Sequence, residues 1–176
     1  MLIMLAISLW LLIASVGFIQ TKKAGAYYVP TKNTVLMNIF EKLQPTKDSV
    51  LIDLGSGDGK ILRFAAKEYG VTAIGYEVVL WPYLEYKIKN WFFLLQYPEL
   101  RTKIKTIRES AFTADISQAN YVFLYTSPEF SEKIAPKLKK ELTPGTRIVS
   151  LTFHLPNWTA LEEYQCDGMT YWIYET

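Results

Sequence analysis

An apolar run that ends in glycines at every second position, VLIDLGSGDGKIL (Val50–Leu62), constrains this chain more than any other stretch. Glycine loses more backbone freedom on folding than any other residue, so such density implies that something must pass close to the main chain. The residues before it, SVLIDL (Ser49–Leu54), form a continuous apolar strand of the kind buried on both faces of a parallel sheet. The residues after it predict a helix from about Asp58 to Tyr69 that packs Ile61, Leu62, Ala65 and Ala66. In an open α/β sheet, ligands sit beyond the carboxyl ends of the strands, where such a loop meets its helix.

The rest of the chain alternates in the same way. Pro30 biases Val29 toward an extended conformation, and Thr31 or Asn33 is placed to cap a helix running to about Leu43. VTAIGYE (Val71–Glu77) reads as a second strand and WPYLEYKIKNWFFLLQ (Trp81–Gln96) as a second crossover helix, with Pro82 in its first turn. Trp81, Trp91, Phe92 and Phe93 on that helix are expected in the core, an interfacial aromatic cluster near a membrane being the other reading. KIKTIRE (Lys103–Glu109), NYVFLY (Asn120–Tyr125) and TRIVSLTF (Thr146–Phe153) read as strands, with a helix over Pro128–Leu142 bent near Pro136. The tail, folded about Cys166–Gly168, reads as a hairpin. This order predicts an α/β domain with a parallel sheet and an antiparallel edge.

The loop spacing discriminates between ligands. A dinucleotide loop wants G-x-G-x-x-G with a pyrophosphate over the helix, whereas here the spacing is G-x-G-x-G and the third glycine of that pattern falls on Lys60. Asp53 closes the strand and Asp58 stands at the helix start, where a phosphate would be repelled. A zwitterion carrying an ammonium group suits such a loop better, and S-adenosylmethionine is one. Glu77, at the tip of the second strand and twenty residues beyond the glycines, lies where a carboxylate takes ribose hydroxyls.

The N-terminus differs in kind. Met1–Ile19 contains no charged side chain and holds eleven Leu, Ile, Val and Phe residues. As a helix it would span roughly 28 Å, close to the hydrocarbon thickness of a bilayer, and those eleven residues favour insertion by about 5 kcal/mol, which Ser8, Ser15 and Gly17 partly offset. Lys22 and Lys23 follow the run, which argues against a cleaved signal peptide despite the small residues Ala24–Ala26. The same flank is expected to stay on the cytoplasmic side with the rest of the chain. A net charge of +2 gives no overall basic field for nucleic acid. One cysteine, Cys166, and one histidine, His154, leave no disulfide framework and no conventional metal centre to expect.

With these residues in view, IDLGSGDGK followed by GYE resembles the cofactor motifs of class I, seven-strand methyltransferases. YYVPT, DLGSGDGKIL, AIGYEVVLW and the ending FHLPNWTALEEYQCDGMTYWIYE are more specific. They resemble small protein-lysine methyltransferases, among them mitochondrial enzymes acting on the ATP synthase c-ring protein and the adenine nucleotide translocase, and archaeal enzymes of broad specificity. The resemblance implies a Rossmann-like, mostly parallel sheet with helices on both faces and a C-terminal antiparallel hairpin, here preceded by one N-terminal transmembrane helix. It implies S-adenosylmethionine as cofactor and a lysine side chain of a protein, often membrane-embedded, as acceptor.

Carried over residue by residue, Asp53, Gly55, Ser56 and Gly57 would hold the methionine end, and Glu77 the ribose. Ser110 would meet the adenine amino group, and the segment ending in Thr31 would close over the cofactor. Ser110 stands where relatives usually have Asp or Asn, and Val79 where they often have Asn. No residue stands out as the base, and Tyr28, Tyr125, Glu129 and His154 are the candidates near the expected mouth. The domains expected are an anchor over 1–20, a linker over 21–30 and a methyltransferase domain over 31–176. The expected partners are a protein substrate and, through residues 1–20, a lipid bilayer, with the domain facing the cytoplasm and no nucleic acid. A small-molecule or lipid methyltransferase, and a cofactor-binding membrane protein without catalysis, remain as alternatives. TSPE (Thr126–Glu129) in place of an Asn/Asp-Pro-Pro-aromatic motif disfavours DNA adenine methylation.

Overall fold

The computed structural model describes residues 31–176. The anchor over 1–20, the linker over 21–30 and the candidate Tyr28 lie outside the described residues. In chain order the elements are α1 (Asn33–Leu43), β1 (Val50–Leu54), α2 (Lys60–Tyr69), β2 (Thr72–Tyr76) and α3 (Leu80–Gln96). A short 3-10 turn (Pro98–Thr102) leads to β3 (Ile104–Ile107), β4 (Tyr121–Leu124), α4 (Pro128–Glu141), β5 (Arg147–Leu151), β6 (Glu162–Cys166) and β7 (Met169–Glu175).

The strands form one seven-stranded sheet in the order β3-β2-β1-β4-β5-β7-β6. The pairs from β3 through β5 are parallel, and β7 runs antiparallel between β5 and β6. The strand order reverses between β1 and β4, so the crevice beyond their carboxyl ends is the expected ligand position. The register of Leu54 with Tyr76, and of Tyr76 with Ile107, brings the loops after β1, β2 and β3 to one edge.

Strand alternation divides the core into two layers. Leu51, Ala73, Phe123 and Val149 face α1 and α2, where Leu36, Phe40, Leu62 and Ala65 pack. Ile52, Leu54, Val122 and Ile148 face α4, meeting Ile134 and Leu138. On that side the irregular segment between β3 and β4 contributes Ala111, Ala114 and Ile116, doing with small side chains what a helix does elsewhere. The terminal hairpin turns on Asp167 and Gly168, both at positive φ, the geometry that suits the right-handed twist of two-residue hairpins.

Three local expectations need correction. Neither Thr31 nor Asn33 caps α1: Lys32 holds the cap position with no side-chain cap bond, and Asn33 is already helical. Helix α2 starts at Lys60 rather than Asp58, because Gly59 is at φ 73° and cannot belong to a right-handed helix. A Cβ on Gly59 would come within 2.5 Å of the Tyr86 ring, so α3 packs against bare backbone there. Finally, Trp81, Trp91 and Phe92 are 58%, 59% and 61% exposed rather than core. The buried face of α3 is instead Pro82, Tyr86 and Asn90. Helix α4 runs through Pro136.

Gly75 shows the tightest approach in the sheet. A Cβ there would stand 2.4 Å from Ser56 Oγ, 2.6 Å from Ser56 Cβ and 2.7 Å from Leu62 Cδ1. Overpacking of this kind costs about 1–3 kcal/mol. Gly75→Ala is therefore expected to lower unfolding free energy by that amount in urea denaturation, and an unchanged midpoint would show that Ser56 can move aside freely.

Candidate functional site

The loop between β1 and α2 is fixed to the tip of β2 before any ligand is considered. The amides of Gly55 and Ser56 both donate to the Tyr76 carbonyl, at 2.9 and 3.1 Å. Gly57 N–H then donates to Glu77 Oε2 at 3.0 Å, and Val79 N–H donates to Glu77 Oε1 at 2.7 Å. Glu77 is buried, and burial raises its carboxyl above the usual range while the Val79 and Gly57 amides pull it back. The Val78 amide pulls it down as well, and a carboxylate's roughly four acceptor sites are not filled by these backbone donors. The carboxylate is thus oriented, with acceptor capacity left for hydroxyl groups.

Asp53 lies one turn of the loop away and is in the opposite state. It is 2% exposed, and its Oδ2 has no hydrogen-bond partner among the described residues. Burial first, then the nearby Glu77 and Asp58 charges, push its carboxyl up to about 8. The Ser56 hydroxyl is likewise buried without a partner among the described residues. Across the cleft, Thr126 from the loop after β4 is buried with its methyl 3.5 Å from where a Gly55 Cβ would be, and its hydroxyl is also unpaired there. Orphaned buried polar groups of this kind are uncommon and call for a ligand. A cationic group, such as an ammonium, is what an orphaned carboxyl beside two other acids would accept.

Asp58 does a different job. Burial acts to raise its carboxyl, but the Lys89 hydrogen bond and the Arg63 charge outweigh it, so it is held below the usual range. Lys89 Nζ lies 2.6 Å and Arg63 Nη2 3.4 Å from Asp58 Oδ2, and Lys89 also meets Glu85 at 2.7 Å. This cluster ties the start of α2 to α3. Lys60 Nζ donates to the Thr31 carbonyl, which brings buried Thr31 against the start of α2.

The sequence-predicted residues fall into groups. Asp53, Gly55, Ser56, Gly57 and Glu77 are brought together at the tips of β1 and β2. Thr31 is tied through Lys60 to the start of α2, and no contact brings it to that cluster among the described residues. Ser110 follows β3 on the same sheet edge, half-buried, its Oγ accepting from Phe112 N–H at 3.3 Å. Tyr125 lies just past β4, partly packed on the α1/α2 layer. Glu129 is exposed at the start of α4, and hydrogen bonds from its own amide and the Ser127 hydroxyl hold its carboxyl low. A carboxylate held low is a poor proton acceptor for an ammonium group.

His154 has its Nδ1 3.1 Å from the Tyr174 hydroxyl and its ring 3.9 Å from that of Trp172. Tyr174 pairs with Ile148 early in β5, so the loop carrying His154 folds back along the sheet. Among the described residues no group of three His, Cys, Asp or Glu is placed to hold a metal ion. Sequence reasoning missed the bridge from Asp58 to Lys89, for which no spacing gives a signal. It also missed the contact of Gly75 with Ser56, for which an isolated glycine inside a strand was a signal.

Known proteins resemble this chain over most of its length. The profile of the ANTKMT methyltransferase domain matches residues 53–162, from Asp53 into β6. A protein-lysine N-methyltransferase from Saccharolobus islandicus is 32% identical over 136 residues, covering 77% of this chain and 81% of the relative. The adenine nucleotide translocase lysine N-methyltransferase of Mus musculus is 26% identical over 86% of this chain, which spans only 64% of that relative's length. An RNA methyltransferase from Salinibacter ruber, crystallised with S-adenosyl-L-homocysteine, superposes with a TM-score of 0.77. It is 29% identical, with 84% of this chain and 93% of that one covered.

The Asp53 carboxyl has a sign that can be tested. Its folded value of about 8 exceeds the ordinary 3.8, so folding favours its neutral form. The stability it contributes is complete below about pH 4 and is lost as pH rises through about 8. Asp53→Asn, which cannot ionise, is expected to gain stability relative to the native chain across that window without ligand. Urea denaturation at several pH values reads this, and a difference constant with pH would show that Asp53 is already ionised and paired.

Proposed function

Since the chain belongs to the ANTKMT methyltransferase domain family, we propose that it transfers a methyl group from S-adenosylmethionine to a lysine side chain of a protein, working at a membrane to which residues 1–20 attach it. The observation that carries the cofactor assignment is the oriented Glu77 carboxylate, 3.0 Å from the Gly57 amide and beside the orphaned oxygen of Asp53. Lysine as acceptor is supported by the archaeal relative, which this chain covers over 81% of its length. The uncharged run Met1–Ile19 and the Lys22–Lys23 flank support attachment with the domain on the cytoplasmic side. Where the acceptor is itself membrane-associated, the shared bilayer brings it to the enzyme.

Bound S-adenosylmethionine supplies a methyl group on a positively charged sulfur that departs readily. The protein's contribution is alignment rather than covalent chemistry. Glu77 accepts from the ribose hydroxyls with its remaining lone pairs. Asp53, ionised when a cation arrives, pairs with the ammonium of the methionine end, and the Ser56 hydroxyl lies in the same cradle. Thr31, held by Lys60 at the start of α2, would close over the cofactor, and Ser110 can accept from the adenine amino group. The lysine must lose a proton before its nitrogen can attack, which a desolvating mouth promotes by lowering its pKa.

A second reading, RNA as acceptor, is favoured by one observation, the structural likeness to the Salinibacter enzyme at 29% identity. A net charge of +2 gives it little electrostatic support. Purified protein with labelled methyl donor, incubated with membranes and with total RNA from a deletion strain, separates the two. Label on a protein lysine, located by mass spectrometry, is the expected result. Label in RNA would establish the second reading, and label in lipid would end both.

Glu77→Ala is expected to weaken S-adenosylmethionine binding by at least about tenfold, the scale of lost hydrogen bonds to a charged group. Calorimetry showing unchanged affinity would remove Glu77 from the cofactor site.

A further inference from the structure

Helix α3 is amphipathic in the wrong direction for a soluble domain. Its inward face is Pro82, Tyr86 and Asn90, while Trp81, Leu84, Ile88, Trp91, Phe92 and Leu95 are 42–61% exposed. At 100° per residue those six fall within an arc of about 100° on the side opposite the core. Lys87 flanks one margin of the arc, and Glu85, paired with Lys89, flanks the other. Scattered apolar residues on a surface need no explanation, but a contiguous aromatic stripe along a whole helix does.

We propose that this face of α3 lies in the headgroup–acyl boundary of a lipid bilayer, as a second membrane contact made by the methyltransferase domain itself. The inference builds on the membrane attachment proposed above. A Trp/Phe/Leu face flanked by a lysine, here Lys87, is the pattern of helices that lie in the interface plane. The helix is 17 residues long and, like every other helix among the described residues, is not long and apolar enough to cross a membrane. It lies on the surface.

Three features favour lipid over a protein occupant. The run Met1–Ile19 is apolar all round, so docking it onto α3 would cover one side and leave the other in water, whereas a bilayer accommodates both. About a dozen residues separate Ile19 from Thr31, a tether of roughly 40 Å at most. The groove lined by Asn33, Met37, Lys60 and Phe93, about 630 Å³, places the start of α1 on the same side as α3. The tether thus keeps α3 within reach of the surface and raises the effective concentration of lipid there. Because α3 starts three residues after Glu77, the contact also sets the cofactor edge of the sheet at the membrane. Acceptor lysines close to the headgroups are then the ones within reach.

The test uses the full chain in vesicles of phosphatidylcholine and phosphatidylglycerol. A nitroxide is placed at Ile88→Cys or, as control, at Glu132→Cys on α4, in a Cys166→Ser background, with retained S-adenosylmethionine binding confirming the fold. Flotation reads membrane attachment separately. The expected result is a chain that floats, with Ile88 relaxed more by oxygen than by a water-soluble nickel chelate and Glu132 showing the reverse. A floating chain with a water-like Ile88 overturns the α3 contact and leaves the anchor intact. An Ile88 shielded from both agents overturns it in favour of a protein occupant, a second copy or residues 1–20. A chain that stays in solution overturns the contact and the membrane attachment together.

Discussion

The geometry of the cleft depends on one carboxylate. Glu77 receives the Gly57 amide on one oxygen and the Val79 amide on the other, and so locks the loop after β1 to the start of α3. Burying a carboxylate is costly unless hydrogen bonds replace its water. Two backbone amides do so here, and charge-assisted bonds are about twice as strong as neutral ones. The Gly55 and Ser56 amides on the Tyr76 carbonyl hold the same loop from its other end. Backbone amides are the donors in all four bonds, and Glu77 is the one side chain that accepts, so the loop itself is held without side chains of its own.

Around this fixed point the charges are unevenly satisfied. Asp58 has Lys89 and Arg63 against it, and that cluster serves packing between α2 and α3. Asp53 has neither, and burial together with the neighbouring acids keeps its carboxyl protonated to about 8. A cleft that stores this imbalance is less stable alone than with a cation in place. Strain at functional sites has this form: a local cost that a bound ligand offsets. The same arrangement disfavours a pyrophosphate, since the groups left without a cation partner, Asp53 and Glu77, are acids.

The exposed stripe of α3 and the uncharged N-terminal run pose the same physical problem at two places in one chain. Each is apolar surface that water does not solvate well. The first is a face of a packed helix and the second an entire segment, and under the membrane attachment proposed above one bilayer would cover both. Where the domain sits relative to that bilayer then matters for chemistry. Under that proposal, a small domain whose cofactor edge faces headgroups would select acceptors by position as much as by sequence contacts.

The sequence by itself settled the order of strands and helices, the place of the glycine loop and the pairing of that loop with Glu77. These are local or nearly local: period-2 and period-3.6 patterns, and one acid at the next strand tip. The hairpin at Asp167–Gly168 was legible for the same reason. Tertiary structure alone decided which face of α3 is buried. Its most apolar stripe, from Trp81 to Leu95, faces outward, so periodicity pointed to the wrong face, while the close approach of Tyr86 to Gly59 holds the other face inward. Tertiary structure also decided that Asp58 pairs with Lys89 while Asp53 Oδ2 has no partner among the described residues, because a carboxylate's partners depend on which helix lands beside it.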